Sequence, residues 1–294
     1  MPAKPGTLYV VATPIGNLDD ITTRALDTLR EVDLIAAEDT RHSKRLLNHF
    51  RIDTPLLSLH EHNERARIPR LIDELRSGKA IALITDAGTP LISDPGFVLV
   101  RSLHEQGLSV TPVPGPSSIL AALSVAGLPT DRFAFEGFLP AKPGARLSHL
   151  ATLKQETRTL IFLESSHRIQ DSLAAMAEVF GGERRAVVAR ELTKVFEEIH
   201  GDTLSGLCQW LAADDNRGKG EFVVMIHGAP TVSGQAIDPE TERLLAVLLE
   251  ELPVKRAAAV ATKVTGIKKN TLYQMALRIV NPDIAHNKSD QNSE

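Results

Sequence analysis

Residues 80–96, AIALITDAGTPLISDPG, decide the fold. Ile81 to Thr85 is a short apolar, β-branched run closed by a turn cluster, which predicts a buried strand. Asp86-Ala87-Gly88-Thr89-Pro90 predicts a tight turn at its carboxyl end. Asp94-Pro95-Gly96 then predicts a helix start, with Asp94 as N-cap and Pro95 at the first helical position. A second loop of this kind, Pro114-Gly115-Pro116-Ser117-Ser118, follows a predicted strand from Ser109 to Val113. Small-residue loops at strand carboxyl ends are where an open α/β sheet takes a ligand. Either loop alone reads as a simple turn; the two together favour a ligand.

On the amino-terminal side, strands are predicted at Thr7 to Ala12, Leu34 to Ala37 and Leu56 to Leu59. Helices are predicted at Ile21 to Glu31, capped by Asp20, at Ser43 to Phe50, and at Ile68 to Arg76 with Gly78 just past its end. Five strands alternating with helices predict a doubly wound, mostly parallel sheet. On the carboxyl side an apolar helix, Ser117 to Ala126, leads to a second set of strands: Phe133 to Phe138, Thr159 to Leu163, Ala186 to Arg190, Val195 to His200 and Phe222 to His227. Helices His167 to Phe180 and Leu204 to Ala213 separate them, and Leu139 to Arg146 is expected to be a loop overhanging a cleft. The short step between the third and fourth of these strands predicts a hairpin, hence a mixed sheet. A polar linker near 229–238 precedes helices at Glu240 to Leu249, Val254 to Thr265 and Lys268 to Val280, and Asn281 to Glu294 reads as a frayed tail. The expected organisation is an N-terminal α/β domain over 1–116, a second α/β domain over 117–230, and a linker with a helical domain over 231–294.

The chain has 294 residues, 43% hydrophobic and 24% charged, an ordinary globular balance. Its one cysteine, Cys208, excludes an intrachain disulfide and a cysteine metal cluster. No apolar run is long enough for a signal peptide or a membrane span, so the cytoplasm is the expected location and no membrane partner is expected. The net charge of −4 leaves any nucleic-acid argument to local patches. A G-x-G-x-x-G run after the first strand and a P-loop lysine motif are both absent, which disfavours a phosphate-cradling nucleotide enzyme.

TLYVVATPIGNLDDIT, AEDTR, LITDAGTPLISDPG and PGPSS occur in this order from Thr7 to Ser118, followed by EGFLP, FLESSHRI, ARELTKVFEE and GEFVVMI. As a set they resemble the tetrapyrrole methylase superfamily of S-adenosylmethionine-dependent methyltransferases. Within it they are similar to the ribosomal small-subunit RNA (cytidine-2′-O)-methyltransferases. The resemblance implies two α/β domains with S-adenosylmethionine between them, a homodimer, and methylation of a cytidine ribose in 16S ribosomal RNA of the small subunit. It places Pro14, Asp86, Ala87, Gly88, Thr89, Pro90, Ile92, Ser117 and Ser118 at the cofactor, with Leu163, Ala189 and Val224 as strand residues lining the adenine pocket. Superfamily relatives carry Gly-Asp-Pro where this chain has Gly88-Thr89-Pro90, so backbone contacts from Asp86, Ala87 and Gly88 are implied rather than an acidic side chain there.

A ribose 2′-hydroxyl is a weak nucleophile, so its attack requires a proton acceptor. Asp39 or Glu38 at the end of a strand is a candidate base, and Arg41 a candidate phosphate clamp; the bland alternative pairs Asp39 with Arg41. His60, Glu61, His62 and Glu64 form a second polar cluster. His60 and His62 have no third ligand, so no metal site is expected. For RNA, three basic stretches are candidates: Lys44 and Arg45; Lys142 and Arg146; and, in an acid-free run from Val254 to Val280, Lys255, Arg256, Lys268 and Lys269. Gly266 splits that run into two short helices, which resembles a helix-turn-helix, and Tyr273 is its one candidate for base stacking. Competing readings are a tetrapyrrole C-methyltransferase, for which such an appendage has no use, and a non-catalytic RNA-binding relative, which cofactor binding would distinguish.

Overall fold

The computed structural model describes residues 3–230 and 239–280. Residues 1–229 form one compact unit and 230–294 a second.

In the first unit, β1 (Thr7–Val11), β2 (Leu34–Ala37), β3 (Leu56–Ser58), β4 (Ile81–Ile84) and β5 (Ser109–Val113) make a sheet in the order β3-β2-β4-β1-β5. Every pairing is parallel, as βαβ crossovers require. All four residues of β4 and of β2 are buried, since helices cover both faces. Strand alternation divides the core. Val11, Ile35, Ala82 and Ile84 pack under α1 (Thr23–Glu31) and α2 (Thr40–His49). Leu8, Leu34, Ala36 and Leu83 pack under α3 (Glu64–Arg76) and α4 (Phe97–Glu105).

The helix α5 (Ser118–Val125) leads to a second sheet of β6 (Phe133–Phe138), β7 (Thr159–Ser165), β8 (Arg185–Arg190), β9 (Glu198–Thr203) and β10 (Glu221–Ile226). Its order is β6-β7-β10-β8-β9, mixed as expected, with only β6–β7 parallel and β8–β9 a hairpin. One face, including Phe162, Val188 and Val224, packs against α6 (Pro143–Thr152), α7 (Ile169–Phe180) and α8 (Leu204–Ala212). The other face, with Ile161, Val187, Ala189 and Val223, packs on α5 and on Ile15 from the loop after β1. That cluster joins the two sheets.

Several predicted boundaries move, each for a local reason. A 3-10 turn at Leu18–Asp20 precedes α1, and Thr22 rather than the predicted Asp20 caps that helix. Asp39 caps α2 by accepting the Arg41 backbone N–H, so the helix starts at Thr40, three residues before the predicted Ser43. α3 starts at Glu64, about a turn before Ile68. Asp94 does not cap α4; Gly96, at φ +121, holds that place. Leu91 (φ 72) and Ser93 (φ 69) are left-handed, which keeps 91–96 as a loop. Glu191 and Thr193 are left-handed as well, and β9 begins at Glu198 instead of Val195. Pro143 sits at the first turn of α6, so half of the expected overhanging loop is helix.

In the second unit, α9 (Pro239–Glu251), α10 (Val254–Thr265) and α11 (Lys269–Val280) close over Leu245, Ala257, Ala258, Ala261, Leu272 and Ala276. The alanines bring α10 and α11 close, and Gly266, left-handed at φ +74, ends α10. Tyr273 packs half-buried against this core rather than standing exposed. The predicted linker over 231–238 and the predicted tail over 281–294 lie outside the described residues.

Candidate active site

Three loops at the carboxyl ends of β1, β4 and β5 are laced together. Thr13 and Gly88 exchange backbone hydrogen bonds, Thr13 donating to Gly88 at 2.9 Å and Gly88 to Thr13 at 3.1 Å. The Thr13 hydroxyl donates to the Thr85 carbonyl at 3.1 Å, and the Thr89 hydroxyl to the Pro116 carbonyl at 3.0 Å. Gly88 holds φ +83, which only glycine adopts without strain. Gly115 lies so near β1 that a Cβ on it would stand 3.0 Å from the Ala12 Cβ.

A cavity of about 390 Å³ opens above these loops and beneath the second sheet. The loops contribute Asp86, Ala87, Gly88, Thr89, Ile92, Ser117 and Ser118, and the second sheet contributes Leu163 and Ala189. Three predicted positions are not on this wall. Pro14 lines a neighbouring cavity, and Pro90 is buried behind the turn. Val224 points to the opposite face of β10, into the helix-covered core; strand alternation makes Val223 the cavity residue.

The wall is acidic. Glu38, Asp86, Asp94, Glu164 and Glu221 line it, with no lysine, arginine or histidine among the described residues. Glu164 is turned to the protein, accepting from the Ser172 hydroxyl at 2.6 Å, and Glu221 is engaged by Lys194 at 2.9 Å. The Thr85 hydroxyl donates to Glu38 Oε2 at 2.7 Å, and the Asp39 backbone N–H to Asp86 Oδ1 at 3.2 Å. Asp94, half-buried, has its pKa pushed up to about 6. Desolvation is the first cause; a hydrogen bond from Thr85 opposes it, and the charges of Glu38 and Asp86 add to it. The sequence signal for this cluster was available as acids just past the ends of the adjacent strands β2 and β4. Asp94 was hidden by its resemblance to a helix cap.

Asp39 stands outside the cavity. Its carboxylate accepts from the Arg41 backbone N–H at 2.8 Å and from the Arg41 guanidinium at 3.2 Å. The side-chain bond to Arg41, then the backbone bond, lowers its pKa to about 2. It is a helix cap and ion-pair partner with little affinity for a proton, and Arg41 is its partner. Of the two candidate bases, only Glu38 reaches the cavity. In the second polar cluster, Glu64 accepts the Leu99 backbone N–H at 2.9 Å and so ties α3 to α4. His60 hydrogen-bonds with Asn63. Among the basic candidates, Lys44, Arg45, Lys142, Lys255, Arg256, Lys268 and Lys269 are exposed. Arg146 is not: it is 5% exposed, on the inner face of α6, with Asp171 3.6 Å away.

Two α/β sheets, strand-end loops made of small residues and an acid-walled cavity define an α/β protein with a site of small-ligand size at its strand carboxyl ends. Residues 7–208 match the family described as Tetrapyrrole (Corrin/Porphyrin) Methylases, and residues 235–279 match the RsmI C-terminal HTH domain. The chain is 58% identical over 274 residues to the ribosomal RNA small subunit methyltransferase I of Pseudomonas aeruginosa, covering 93% of this chain and 97% of that one. The protein of the same description from Vibrio cholerae is 53% identical, over 92% and 94% of the two chains. Solved structures share the fold at low identity. Diphthine synthase superposes with a TM-score of 0.57 at 16% identity, over 76% of this chain and 90% of that one. The methyltransferase CobJ gives 0.56 at 18%, over 80% and 98%. The chain belongs to the tetrapyrrole methylase family, and it is a methyltransferase.

Proposed function

We propose that this enzyme methylates the ribose 2′-oxygen of a cytidine in 16S ribosomal RNA, acting on the small subunit in the cytoplasm as a homodimer. The methyl donor is S-adenosylmethionine. The single observation that carries this reading is the acid-walled cavity at the strand carboxyl ends. A ligand bearing a sulfonium and an ammonium against one carboxylate is net cationic, and carboxylates without a lysine or arginine suit it while repelling a phosphate-rich one. The volume falls within the range of small-ligand sites. The backbone at 86–88 offers close polar contact, and Ile15, Leu163, Ala189 and Val223 offer an apolar face to a base.

When bound, S-adenosylmethionine would supply an electrophilic methyl carbon with a thioether as its leaving group. The chain itself must align the two partners and take the 2′-proton. Asp86 is our candidate for the acceptor, because it lines both this cavity and the neighbouring one.

The relatives named above are described as acting on the small-subunit RNA, which supports the substrate class. The exposed cations of the helical unit support RNA over a tetrapyrrole, because a small macrocycle needs no such surface. Val195 and Phe196, 94% and 68% exposed, are apolar side chains in search of a partner surface and favour self-association. The test offers labelled donor with unmethylated small subunits, free 16S RNA and uroporphyrinogen. Label retained in an alkali-resistant dinucleotide containing cytidine is expected, since a 2′-O-methyl group blocks backbone cleavage. Label on a base or in the macrocycle would overturn the reading.

A further inference from the structure

Beside the donor cavity lies a second of about 610 Å³, and the two share Ile15, Asp86, Ala87 and Glu221. Cations join the shared carboxylates of Asp86 and Glu221 on this side of the wall. His42, Arg45 and His49 recur three and four residues apart on α2, so they share one helix face, and that face lines the second cavity. Lys194 enters from the turn after β8, already held 2.9 Å from both Glu191 and Glu221. Arg45 is exposed and has no ion-pair partner among the described residues. A further observation points to a ligand. Ser43 lines the cavity at 2% exposure, and its buried hydroxyl has no hydrogen-bond partner. Native proteins rarely leave such a group unmet. Ile15, Leu18 and Leu46 add apolar surface.

We propose that this second cavity receives the acceptor nucleotide of the RNA strand. Arg45, flanked by His42 and His49, holds its phosphate. The Ser43 hydroxyl is its buried polar contact, and its ribose faces the wall shared with the donor cavity. The inference rests on the RNA reading above. Its independent support is physical. An acceptor ribose must abut the donor cavity, and its phosphates need cations that the donor cavity lacks.

The test uses the full chain with small ribosomal subunits and compares wild type, Arg45→Glu, Arg45→Lys and, as an equal charge change on a helix lining neither cavity, Arg65→Glu. Arg45→Glu is expected to raise KM for subunits about tenfold with kcat little changed, the pattern of lost binding. It should also make the log–log salt dependence of affinity shallower by about one. Affinity for S-adenosylmethionine by calorimetry should be unchanged. Arg45→Lys should restore most of the loss, and Arg65→Glu should behave as wild type. Cytidine 3′,5′-bisphosphate should compete with subunits for the wild type and not for Arg45→Glu. If wild type methylates subunits while Arg45→Glu keeps its KM and salt slope, the acceptor site is overturned and the RNA reading stands. If wild type methylates no subunits, both fall. Uroporphyrin displacing the bisphosphate at equal concentration would assign the cavity to a polycarboxylate and overturn it as well.

Discussion

Asp94→Asn should make the α/β unit more stable at neutral pH while weakening its hold on the methyl donor. The Asp94 carboxyl titrates at about 6 in the fold against 3.8 in the unfolded chain. The folded state therefore holds this proton more tightly, so the carboxyl costs nothing below the unfolded value. Its penalty grows as pH rises and is complete above about 6. At 1.36 kcal/mol for each factor of ten, the full penalty is about 3 kcal/mol. Solvent reaches half of the group, and screening reduces this to about 1–1.5 kcal/mol. Asparagine has the same shape and no charge. The variant should melt about 3–5 °C higher at about pH 7.5, given the usual scaling for a unit of this size, and should lose most of that gain at about pH 4.5. Removing one carboxylate from the wall of a cavity that receives a cation should cost about fivefold in S-adenosylmethionine affinity at neutral pH. That cost should shrink below about pH 6, where Asp94 is protonated in the wild type as well. Scanning calorimetry and titration calorimetry at two pH values measure both effects. A variant less stable at neutral pH, or one equally stabilised at both, would refute the desolvation argument. Unchanged donor affinity would refute the claim that the wall's charge selects the ligand.

Asp86→Asn should lower methyl transfer about a hundredfold or more under saturating substrates, the share of a general base. Asp39→Ala should lower the melting temperature modestly as a lost helix cap, with turnover reduced less than about tenfold; the reverse pattern would return the role to Asp39. Gly88→Val should cost about 1–2 kcal/mol, because the side chain is forced into a left-handed backbone. It should also loosen the Thr13–Gly88 bridge, and calorimetry showing undiminished donor affinity would remove that turn from the site. A chain ending after Pro230 should keep donor binding and lose RNA affinity, with a shallower salt dependence. Lys268→Glu with Lys269→Glu should reproduce part of that loss; lower thermal stability with unchanged RNA binding would make the helical unit a packing element instead.

Much of the first sheet was legible because its signals are local. The run IALI is apolar without a break, as a strand under helices on both faces must be, and the glycines and prolines that bound it cannot continue a strand. The second sheet read less well for the same reason inverted. Val195 and Phe196 look like strand residues by composition, yet they sit in a turn. What starts β9 at Glu198 is a left-handed backbone at Glu191 and Thr193, and nothing in the two side chains announces it. Val224 and Val223 are indistinguishable by type. Only the position of the helices decides which of them faces the cavity.

The site was legible as loops and illegible as charge. Glu38, Asp86 and Asp94 are separated by up to 56 positions, and their meeting depends on the strand order placing β2 beside β4. The most conspicuous acid, Asp39, lies next to Glu38 in sequence but is drawn outward by the helix it caps and the arginine it pairs with. The net charge of −4 conceals the arrangement that matters, because it averages a wall of carboxylates against the local cations Arg45 and Lys194. On one side of Asp86 and Glu221 the cavity presents carboxylates; on the other it presents His42, Arg45, His49 and Lys194. On the reading proposed above, a cationic donor is drawn to the carboxylates of the first cavity, which repel an anionic strand, while Arg45, unpaired among the described residues, gives the second cavity a cation for a phosphate. With the donor in one cavity and the acceptor in the other, as proposed, their reacting atoms meet at the shared wall, so Asp86 stands where both substrate selection and alignment are decided.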